Sequence, residues 1–325
     1  MGIIRYIVRF IIYTKKELIN TIRLLKINNN KKFEAQRLKS KSIKLCHSIE
    51  KGLALQNPNQ GFGTQKIKNI LMNLEIYKKN NYNMHDKAIH IIYGVLLKYI
   101  EFQQNENIDI SNIVNKFNNI FNKIDFTNTD IQGGSLKLSD INISNNEKEA
   151  FFRVISTRHS LRDYTDEDIP LEVIKEAVTM ALKAPSACNR QPSRVYVVDK
   201  SYRKELTEFL SGTGGFENNA NKYLIITSDI SAFELQEKNQ WILSTGIFIG
   251  YLSLTLHSKG IGACIIERQL EATKKNKNFT KAFGIPDEEQ IICAICIGKY
   301  PPEFNVPVSK RYDTDYIFKE INLIS

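Results

Sequence analysis

Hydrophobic residues follow two different patterns along the chain, and the change between them falls near residue 147. Before it, apolar residues recur three and four positions apart, as in Ile67, Ile70, Leu71 and Leu74, which predicts amphipathic helices. After it, helical stretches alternate with short apolar runs that predict buried strands, at 195–198, 223–228, 260–266 and 290–297. A nearly all-apolar stretch at 241–257 predicts a central helix. The pattern therefore predicts an α+β domain that follows a helical segment.

A polar stretch separates the two parts. Residues 126–146 are rich in Asn, Asp and Ser and contain the pair Gly133-Gly134, a composition typical of a linker. We predict an N-terminal helical extension over 1–125, a linker over 126–146 and a main domain over 147–325. In the main domain, Asp166 or Asp168 is expected to cap the helix that begins near Leu171.

The positive charge is concentrated at the N-terminus. The 325 residues carry a formal net charge of +10, and residues 1–50 contain 12 Lys and Arg against 3 Asp and Glu. The other 275 residues therefore hold 33 basic and 32 acidic residues. A protein that binds nucleic acid through a uniformly basic surface has a different distribution, so we predict no nucleic-acid partner.

The most basic segment, residues 1–45, begins with an apolar stretch that Arg5 and Arg9 interrupt. This stretch is shorter than the roughly 20 apolar residues that span a bilayer, and no small-residue cleavage motif follows it. We therefore expect a cytoplasmic protein. A basic helix with an apolar face can bind an anionic membrane peripherally, or it can pack on the protein's own body or on a partner. We favour packing.

The cysteines indicate neither a disulfide framework nor a metal site. There are five of them in a long chain: Cys46, Cys188, Cys264, Cys293 and Cys296. The Cys293-x-x-Cys296 spacing lies within an apolar run and has no second pair. We therefore interpret both as small, buried strand residues rather than ligands.

Candidate chemistry begins with Arg158-His159-Ser160-Leu161-Arg162. The two arginines are four positions apart, so they share a face on a helical turn, and Ser160 adds a hydroxyl donor. An arginine fork suits phosphate because it can bond two oxygens at once. Taken alone, this segment is equally compatible with a solvated basic turn.

Three further elements extend the candidate site. The turn Pro185-Ser186-Ala187-Cys188-Asn189 follows a predicted helix, and Asn189 and Gln191 each offer donors and acceptors. Gly260-Ile261-Gly262-Ala263-Cys264 allows close backbone approach, although it lacks the GxGxxG pattern of dinucleotide folds. Ser309-Lys310-Arg311 supplies two adjacent cations near the C-terminus.

In this order, the elements in residues 150–320 resemble the nitroreductase-like flavoproteins. The resemblance implies a three-layer α-β-α fold with a mixed, mainly antiparallel sheet, behind an N-terminal α-helical segment. It implies that Arg158, Ser160 and Arg162 bind FMN, and that His159 contributes through its backbone. The turn residues Pro185, Ser186, Ala187, Asn189 and Gln191 would pack at the flavin, often from the neighbouring subunit. Cys264 and Ile265 would offer backbone groups to the ring, and Lys310 and Arg311 would supply cations.

The resemblance also implies an activity. It implies an FMN-dependent enzyme in which NADH or NADPH gives a hydride to flavin N5, after which a small aromatic, quinone or nitro acceptor is reduced. No catalytic side chain is implied, and Arg162 is expected to tune the flavin. A homodimer is expected. Dehydrogenation or dehalogenation on the same fold remains open, as does a non-catalytic flavin-binding scaffold. Ser193, and Asn221 after Ala220, depart from the family pattern and affect local packing.

Overall fold

The computed structural model describes residues 2–122, 124, 126, 133–139, 141–210, 215–267 and 274–321. The N-terminal helices are α1 (Gly2–Asn29), α2 (Glu34–Leu53), α3 (Thr64–Lys79), α4 (Lys87–Asn105) and α5 (Ser111–Phe121). They are followed by α6 (Asn145–Thr157), α7 (Leu171–Ala181), β1 (Ser193–Asp199), α8 (Arg203–Phe209) and β2 (Lys222–Asp229). The last elements are α9 (Gln240–Ser258), β3 (Ile261–Glu267), α10 (Lys274–Ala282), β4 (Glu289–Lys299) and α11 (Thr314–Ile317).

Helices α2 to α5 pack around a hydrophobic core of their own. Its fully buried side chains recur at helical spacing, and they include Ile49, Ile67, Leu71, Ile92, Leu96 and Tyr99. This confirms that the chain begins with a helical region. The predicted linker approaches α4 closely, because a Cβ on Gly133 would lie 2.5 Å from the Val95 nitrogen. Part of that segment lies outside the described residues, and the boundaries of the extension stay a prediction.

The four strands form one sheet in the order β1-β2-β4-β3, with every neighbouring pair antiparallel. One parallel bridge, between Ser160 and Ala263, adds to its β3 edge. All four predicted strands and the long apolar helix, now α9, are confirmed. The two central strands are buried on both faces, which explains why their sequences are continuous apolar runs rather than alternating patterns.

Helices cover both faces of the sheet, so the expected three-layer α+β fold is confirmed. On one face, Leu224 and Ile295 pack with side chains of α7 and α9. On the other face, Tyr223 and Cys296 pack with Leu206 of α8 and with α10. Neighbouring residues of one strand thus point to opposite cores, as the strand repeat of two requires.

The cysteines of β4 are buried strand residues, as predicted. Cys293 belongs to the core beneath α7 and α9, and Cys296 belongs to the opposite core. Neither forms a disulfide. No cluster of three or more His, Cys, Asp or Glu side chains suited to a metal ion occurs in the described part of the chain.

The expected cap of α7 is wrong. Pro170 occupies the N-cap position without a side-chain hydrogen bond, while Asp168 accepts a hydrogen bond from Lys222. The Lys222 side chain is buried, and a buried ammonium group needs a counter-charge. Asp168 is therefore used for that ion pair rather than for the helix end.

The N-terminal extension is attached to the main domain through α1 and α2. Leu24, Ile27 and Phe33 join the core that also contains Trp241. Arg23 donates to the carbonyl oxygens of Asp287 and Glu289 at 2.8 and 2.9 Å. In contrast, residues 4–15 of α1 are exposed. Among the described residues, none of the helices has the length and hydropathy needed to cross a bilayer.

Candidate functional site

The segment with the two candidate arginines runs along the edge of β3. The Leu161 amide donates to the Ala263 carbonyl oxygen at 3.0 Å, and Ser160 pairs with the same residue. The Leu161 side chain is fully buried in the core under the sheet, so it anchors the segment. Arg158 and Arg162 are consequently fixed on either side of a short stretch of added strand.

This close approach depends on the second glycine of the Gly260-x-Gly262 motif. A Cβ on Gly262 would lie 2.2 Å from Leu161 Cδ2, a distance that no packed side chain tolerates. The sequence indicated close backbone approach at this motif. The structure shows that the group that approaches Gly262 is the arginine segment itself.

The candidate cations have no carboxylate partner. Arg158 is half-buried, and Arg162 is exposed with its guanidinium 5.5 Å from the Phe216 ring centroid. Among the described residues, no Asp or Glu lies within ion-pair distance of either guanidinium, whereas Arg190 and Lys222 are paired. A half-buried cation without a counter-charge is suited to an anionic ligand.

A histidine and a tyrosine that sequence reasoning missed lie beside Arg158. His257 Nδ1 is 2.7 Å from the Tyr300 hydroxyl oxygen, and His257 Nε2 is 2.8 Å from Thr157 Oγ1. Burial lowers the pKa of His257, and the nearby charges of Arg158 and His159 lower it further. The ring is therefore neutral near pH 7 and joins α6, α9 and the end of β4. The position of His257 in the last turn of α9 is the one sequence signal that could have indicated that it joins these elements.

The open edge of β3 presents backbone groups next to the arginines. Because the Ala263 carbonyl faces Leu161, the strand repeat directs the N–H and C=O of Ile265 to the same edge. Cys264 pairs with Cys296 of β4, and its side chain is buried. Of the two residues expected to offer backbone groups to a ring, Ile265 is thus the one whose backbone faces the open edge.

The turn after α7 is held in an unusual conformation. Cys188, Asn189 and Gln191 have positive φ angles of 53°, 54° and 47°, a region that residues with a Cβ seldom occupy. The Gln191 amide nitrogen donates to Ser186 Oγ at 3.0 Å, and the Ala187 amide donates to Ser244 Oγ at 3.2 Å. Strain of this kind is concentrated at functional sites. Gln191 is exposed, and its Nε2 donates to Asn189 Oδ1 at 3.2 Å.

Arg190 fixes this turn from inside the protein. Its side chain is only 2% exposed, its Nε donates to the Ala187 carbonyl at 3.0 Å, and its guanidinium lies 4.2 Å from the Phe233 ring centroid. Both terminal nitrogens bind Glu237. No sequence pattern indicated this ion pair, because a buried guanidinium shows no pattern of its own.

The carboxylate of Glu237 also receives a bond from the helical extension. Lys44 of α2 lies 3.2 Å from it and 3.2 Å from Glu234. Burial alone would raise the pKa of Glu237, but hydrogen bonds from Arg190, from the Glu234 backbone and from Lys44 outweigh it and lower the pKa to about 2. The carboxylate is therefore charged at every physiological pH.

The two halves of the candidate site lie far apart in one chain. Helix α9 connects them, since Ser244 contacts the turn and His257 contacts α6 beside Arg158. These two residues are 13 positions apart, which corresponds to about 20 Å of helix. The structure therefore brings Arg158, His159, Ser160 and Ile265 together at one groove. It places Arg162 further along the same segment, over Phe216, and leaves Pro185 to Gln191 at a separate place.

The C-terminal cations lie in an exposed, extended segment. Arg311 donates to the Ser309 carbonyl at 2.5 Å. In the part of the chain that the structure describes, neither Lys310 nor Arg311 is joined to the arginine segment by a hydrogen bond or ion pair. Their cofactor role, like that of the other candidate residues, stays a prediction.

The groove at the arginine segment is shallow in a single chain. It is lined by Arg158, His159, Ser160, Ser253, His257, Ile261, Ala263, Ile265 and Tyr300. Wider cavities of about 650 and 540 Å³ lie beside α1 instead. A flat ring would therefore rest against an open edge of one chain, and another surface is needed to cover it.

Comparison with protein families decides the classification of the main domain. Residues 155–299 match the model of the Nitroreductase family. The matched segment belongs to the nitroreductase family. The matched region begins in α6, so helices α1 to α5 lie outside the part of the chain that the nitroreductase model covers.

Several known proteins are similar to this nitroreductase domain. A provisionally named NADH dehydrogenase/NAD(P)H nitroreductase of Methanothermobacter thermautotrophicus is 26% identical over 166 residues, covering 51% of this chain and 84% of the relative. The iodotyrosine deiodinase of Haliscomenobacter hydrossis is 28% identical over 195 residues, covering 50% and 85%. Among solved structures, the FMN-dependent nitroreductase of Clostridium difficile is 24% identical and covers 51% and 96%, with a TM-score of 0.44.

Proposed function

We propose that the chain is an FMN-dependent oxidoreductase that takes electrons from NADH or NADPH and reduces a small aromatic, quinone or nitro acceptor. The proposal is carried by one observation above all. Two arginines without carboxylate partners, one of them half-buried, are anchored beside an open strand edge in a domain of the nitroreductase family. The names of the relatives support the class of donor.

The residues present fit FMN. Arg158 and Ser160 offer a cation and a hydroxyl for a phosphate, and the half-buried state of Arg158 strengthens its attraction for a dianion. Arg162 lies on the other side of Ser160 and is available to the ring. The backbone of Ile265 offers one donor and one acceptor at the open edge, which suits the polar rim of an isoalloxazine.

Bound FMN would supply reversible hydride transfer between the nicotinamide donor and the acceptor. The protein then has to hold and orient the reactants and to stabilise negative charge. A cation at Arg162 favours the anionic form of a reduced ring. The neutral His257, held by Tyr300 and Thr157, lines the same groove as Arg158 and adds no competing charge.

We further propose that the active unit is a homodimer in which each site uses both chains. The separation of about 20 Å between the turn and the arginines prevents one chain from placing both around one flavin edge. Exposed apolar side chains occur on the elements next to the arginines, namely Phe151, Phe152 and Ile155 of α6, Leu243 and Tyr251 of α9, and Val308, Tyr312 and Ile317 of the C-terminal segment. A two-fold axis would bury these surfaces and bring the turn of one chain to the arginines of its partner.

Mixed dimers test the shared site. One chain would carry Arg158→Ala and Arg162→Ala, and the other would carry Asn189→Ala and Gln191→Ala, with different affinity tags. If each site uses both chains, a mixed dimer contains one intact site and holds about half the FMN of the wild type, while both parent dimers lose it. A mixed dimer that holds no more FMN than its parents would refute sharing.

Reductive dehalogenation is the second candidate, because an iodotyrosine deiodinase is among the similar proteins. The two activities are distinguished with flavin-loaded protein that has been reduced by NADH or NADPH under anaerobic conditions. We expect nitroaromatic or quinone acceptors to reoxidise it faster than iodophenols. Faster reoxidation by iodophenols, with release of iodide, would favour the second candidate. A flavin that neither nucleotide reduces would refute the proposed donor.

A further inference from the structure

Helix α1 exposes an apolar face along its whole length. Six large side chains lie three, four or seven positions apart, so they share one face of the helix: Ile4, Ile7, Ile11, Leu18, Ile22 and Leu25. Their exposed fractions range from 40% for Leu25 to 71% for Ile4. Continuous apolar surface of this kind marks an interaction site rather than ordinary protein surface.

The opposite face of α1 holds it to the rest of the chain. Leu24 and Ile27 pack against the main domain, and Arg23 binds the start of β4 and the residues before it. The apolar face is exposed over residues 4–15, whereas Ile22 and Leu25, further along it, line the two cavities beside the main domain. All of residues 4–15 are exposed, so packing on the protein's own body, one of the two forms of packing that the sequence favoured, does not account for them.

The charge of α1 indicates what covers this face. The helix contains six cations, Arg5, Arg9, Lys15, Lys16, Arg23 and Lys26, and a single carboxylate, Glu17. Glu17 already binds Lys238 at 2.9 Å. Pairing α1 with a second copy of itself would bring cations together without carboxylates to offset them. An anionic lipid surface supplies the missing negative charge.

The composition of the flanks agrees with a lipid surface. Tyr6, Phe10 and Tyr13 of α1 are exposed as well. Phe10 lies at the edge of the apolar face and both tyrosines lie on the other side of the helix, and aromatic side chains favour the boundary between headgroups and acyl chains. Arg5, Arg9 and Lys15 are exposed as well, and their long stems allow the charged ends to reach the headgroups.

We infer that α1 binds the surface of an anionic phospholipid membrane, lying in its plane with the apolar face toward the acyl chains. Helices of this type bury their apolar face at the headgroup boundary and gain further affinity from anionic lipids. The bound helix places the main domain directly at the membrane surface. The inference does not depend on the flavin site.

Flotation of the full chain with vesicles tests this inference. We expect the wild type to float with vesicles of phosphatidylcholine mixed with phosphatidylglycerol, and much less with phosphatidylcholine alone. Each cation near an anionic surface contributes about fivefold to binding, so Arg5→Gln with Arg9→Gln should weaken the binding by roughly 25-fold. Lys51→Gln with Lys68→Gln, which removes the same charge from exposed sites outside α1, should leave it unchanged.

The apolar face is tested separately. Ile7→Asp with Ile11→Asp should abolish binding to the mixed vesicles, whereas Leu55→Asp with Met72→Asp, at exposed positions outside α1, should not. No flotation of the wild type with the mixed vesicles would overturn the inference. It would also be overturned if Ile7→Asp with Ile11→Asp changed only the oligomeric state in sedimentation velocity, because a second copy would then be the occupant.

Discussion

Arg190 binds the carboxylate of Glu237 through both of its terminal nitrogens, at 2.7 and 3.0 Å. The same carboxylate accepts a hydrogen bond from Lys44 of α2 at 3.2 Å. Arg190 in turn holds the Ala187 carbonyl of the strained turn. A continuous chain of charged contacts thus joins the helical extension to one half of the proposed flavin site, and this gives the extension a structural role in that site.

Replacing Glu237 by Gln should destabilise the protein by about 3 kcal/mol, because it leaves a buried guanidinium without its counter-charge. The flavin turn should loosen at the same time, which would lower FMN affinity. Denaturant unfolding and FMN titration measure the two effects. Glu234→Gln is the matched control, since the Glu234 side chain binds the partly exposed Lys44 and Gln236, and it should cost less than about 1 kcal/mol. Equal losses for both variants would contradict the role of the Arg190 pair.

Gly262→Ala should displace the arginine segment from β3. The added Cβ meets Leu161 Cδ2 at 2.2 Å, and overpacking of this kind costs about 1–3 kcal/mol, or roughly ten- to hundredfold in FMN affinity if the segment shifts. Leu161→Ala in the same chain removes the clashing atom and should restore part of that affinity, although losing a buried leucine lowers stability. Identical FMN affinity in Gly262→Ala and the wild type would refute this packing account.

Arg162→Ala should make the flavin midpoint potential more negative in protein loaded with FMN. A cation near the ring stabilises the reduced, anionic form, and a loss of about 1.4 kcal/mol corresponds to about 30 mV for a two-electron couple. Arg153→Ala is the control, because Arg153 is also exposed but lies outside the arginine segment that runs along the edge of β3. An unchanged flavin midpoint potential in the FMN-loaded Arg162→Ala variant would show that Arg162 does not act on the flavin ring.

His257 should make stability depend on pH below about 6.5. Its pKa is lowered in the folded chain by burial and by Arg158 and His159, while in the unfolded chain it is near 6.5. The unfolded state therefore binds the proton first, so stability is lost as the pH falls below about 6.5. In His257→Asn, unfolding measured across this range should show a flatter profile than the wild type. A steeper loss of stability with falling pH in His257→Asn than in the wild type would contradict this prediction.

Much of the fold could be predicted because its signals are local. Apolar runs predicted all four strands. The runs of β2 and β4 are continuous because these strands are buried on both faces. The spacing of Arg158 and Arg162 was interpreted as a helical turn, which is wrong. The segment is extended and Ser160 pairs with Ala263 of β3, so the two arginines lie about 13 Å apart along the chain.

Other features depend on contacts between distant residues. Glu237 lies 47 residues from Arg190, and no local pattern pairs them. Asp168 was expected to cap a helix, but it accepts a hydrogen bond from the buried Lys222 and serves as its counter-charge. The turn is separated from the arginines by the length of α9 between Ser244 and His257. The apolar pattern predicted this helix, but it did not indicate which residues contact its two ends.

The central claim is that this chain binds FMN, and the absorbance spectrum of the purified protein tests it most directly. The protein would be mixed with excess FMN, passed through a desalting column and compared with the variant that carries both Arg158→Ala and Arg162→Ala. We predict that the wild type retains flavin absorbance, with bands shifted from those of free FMN, and that the variant loses most of it. A wild-type protein that elutes without any flavin band, before and after added FMN, would contradict the account.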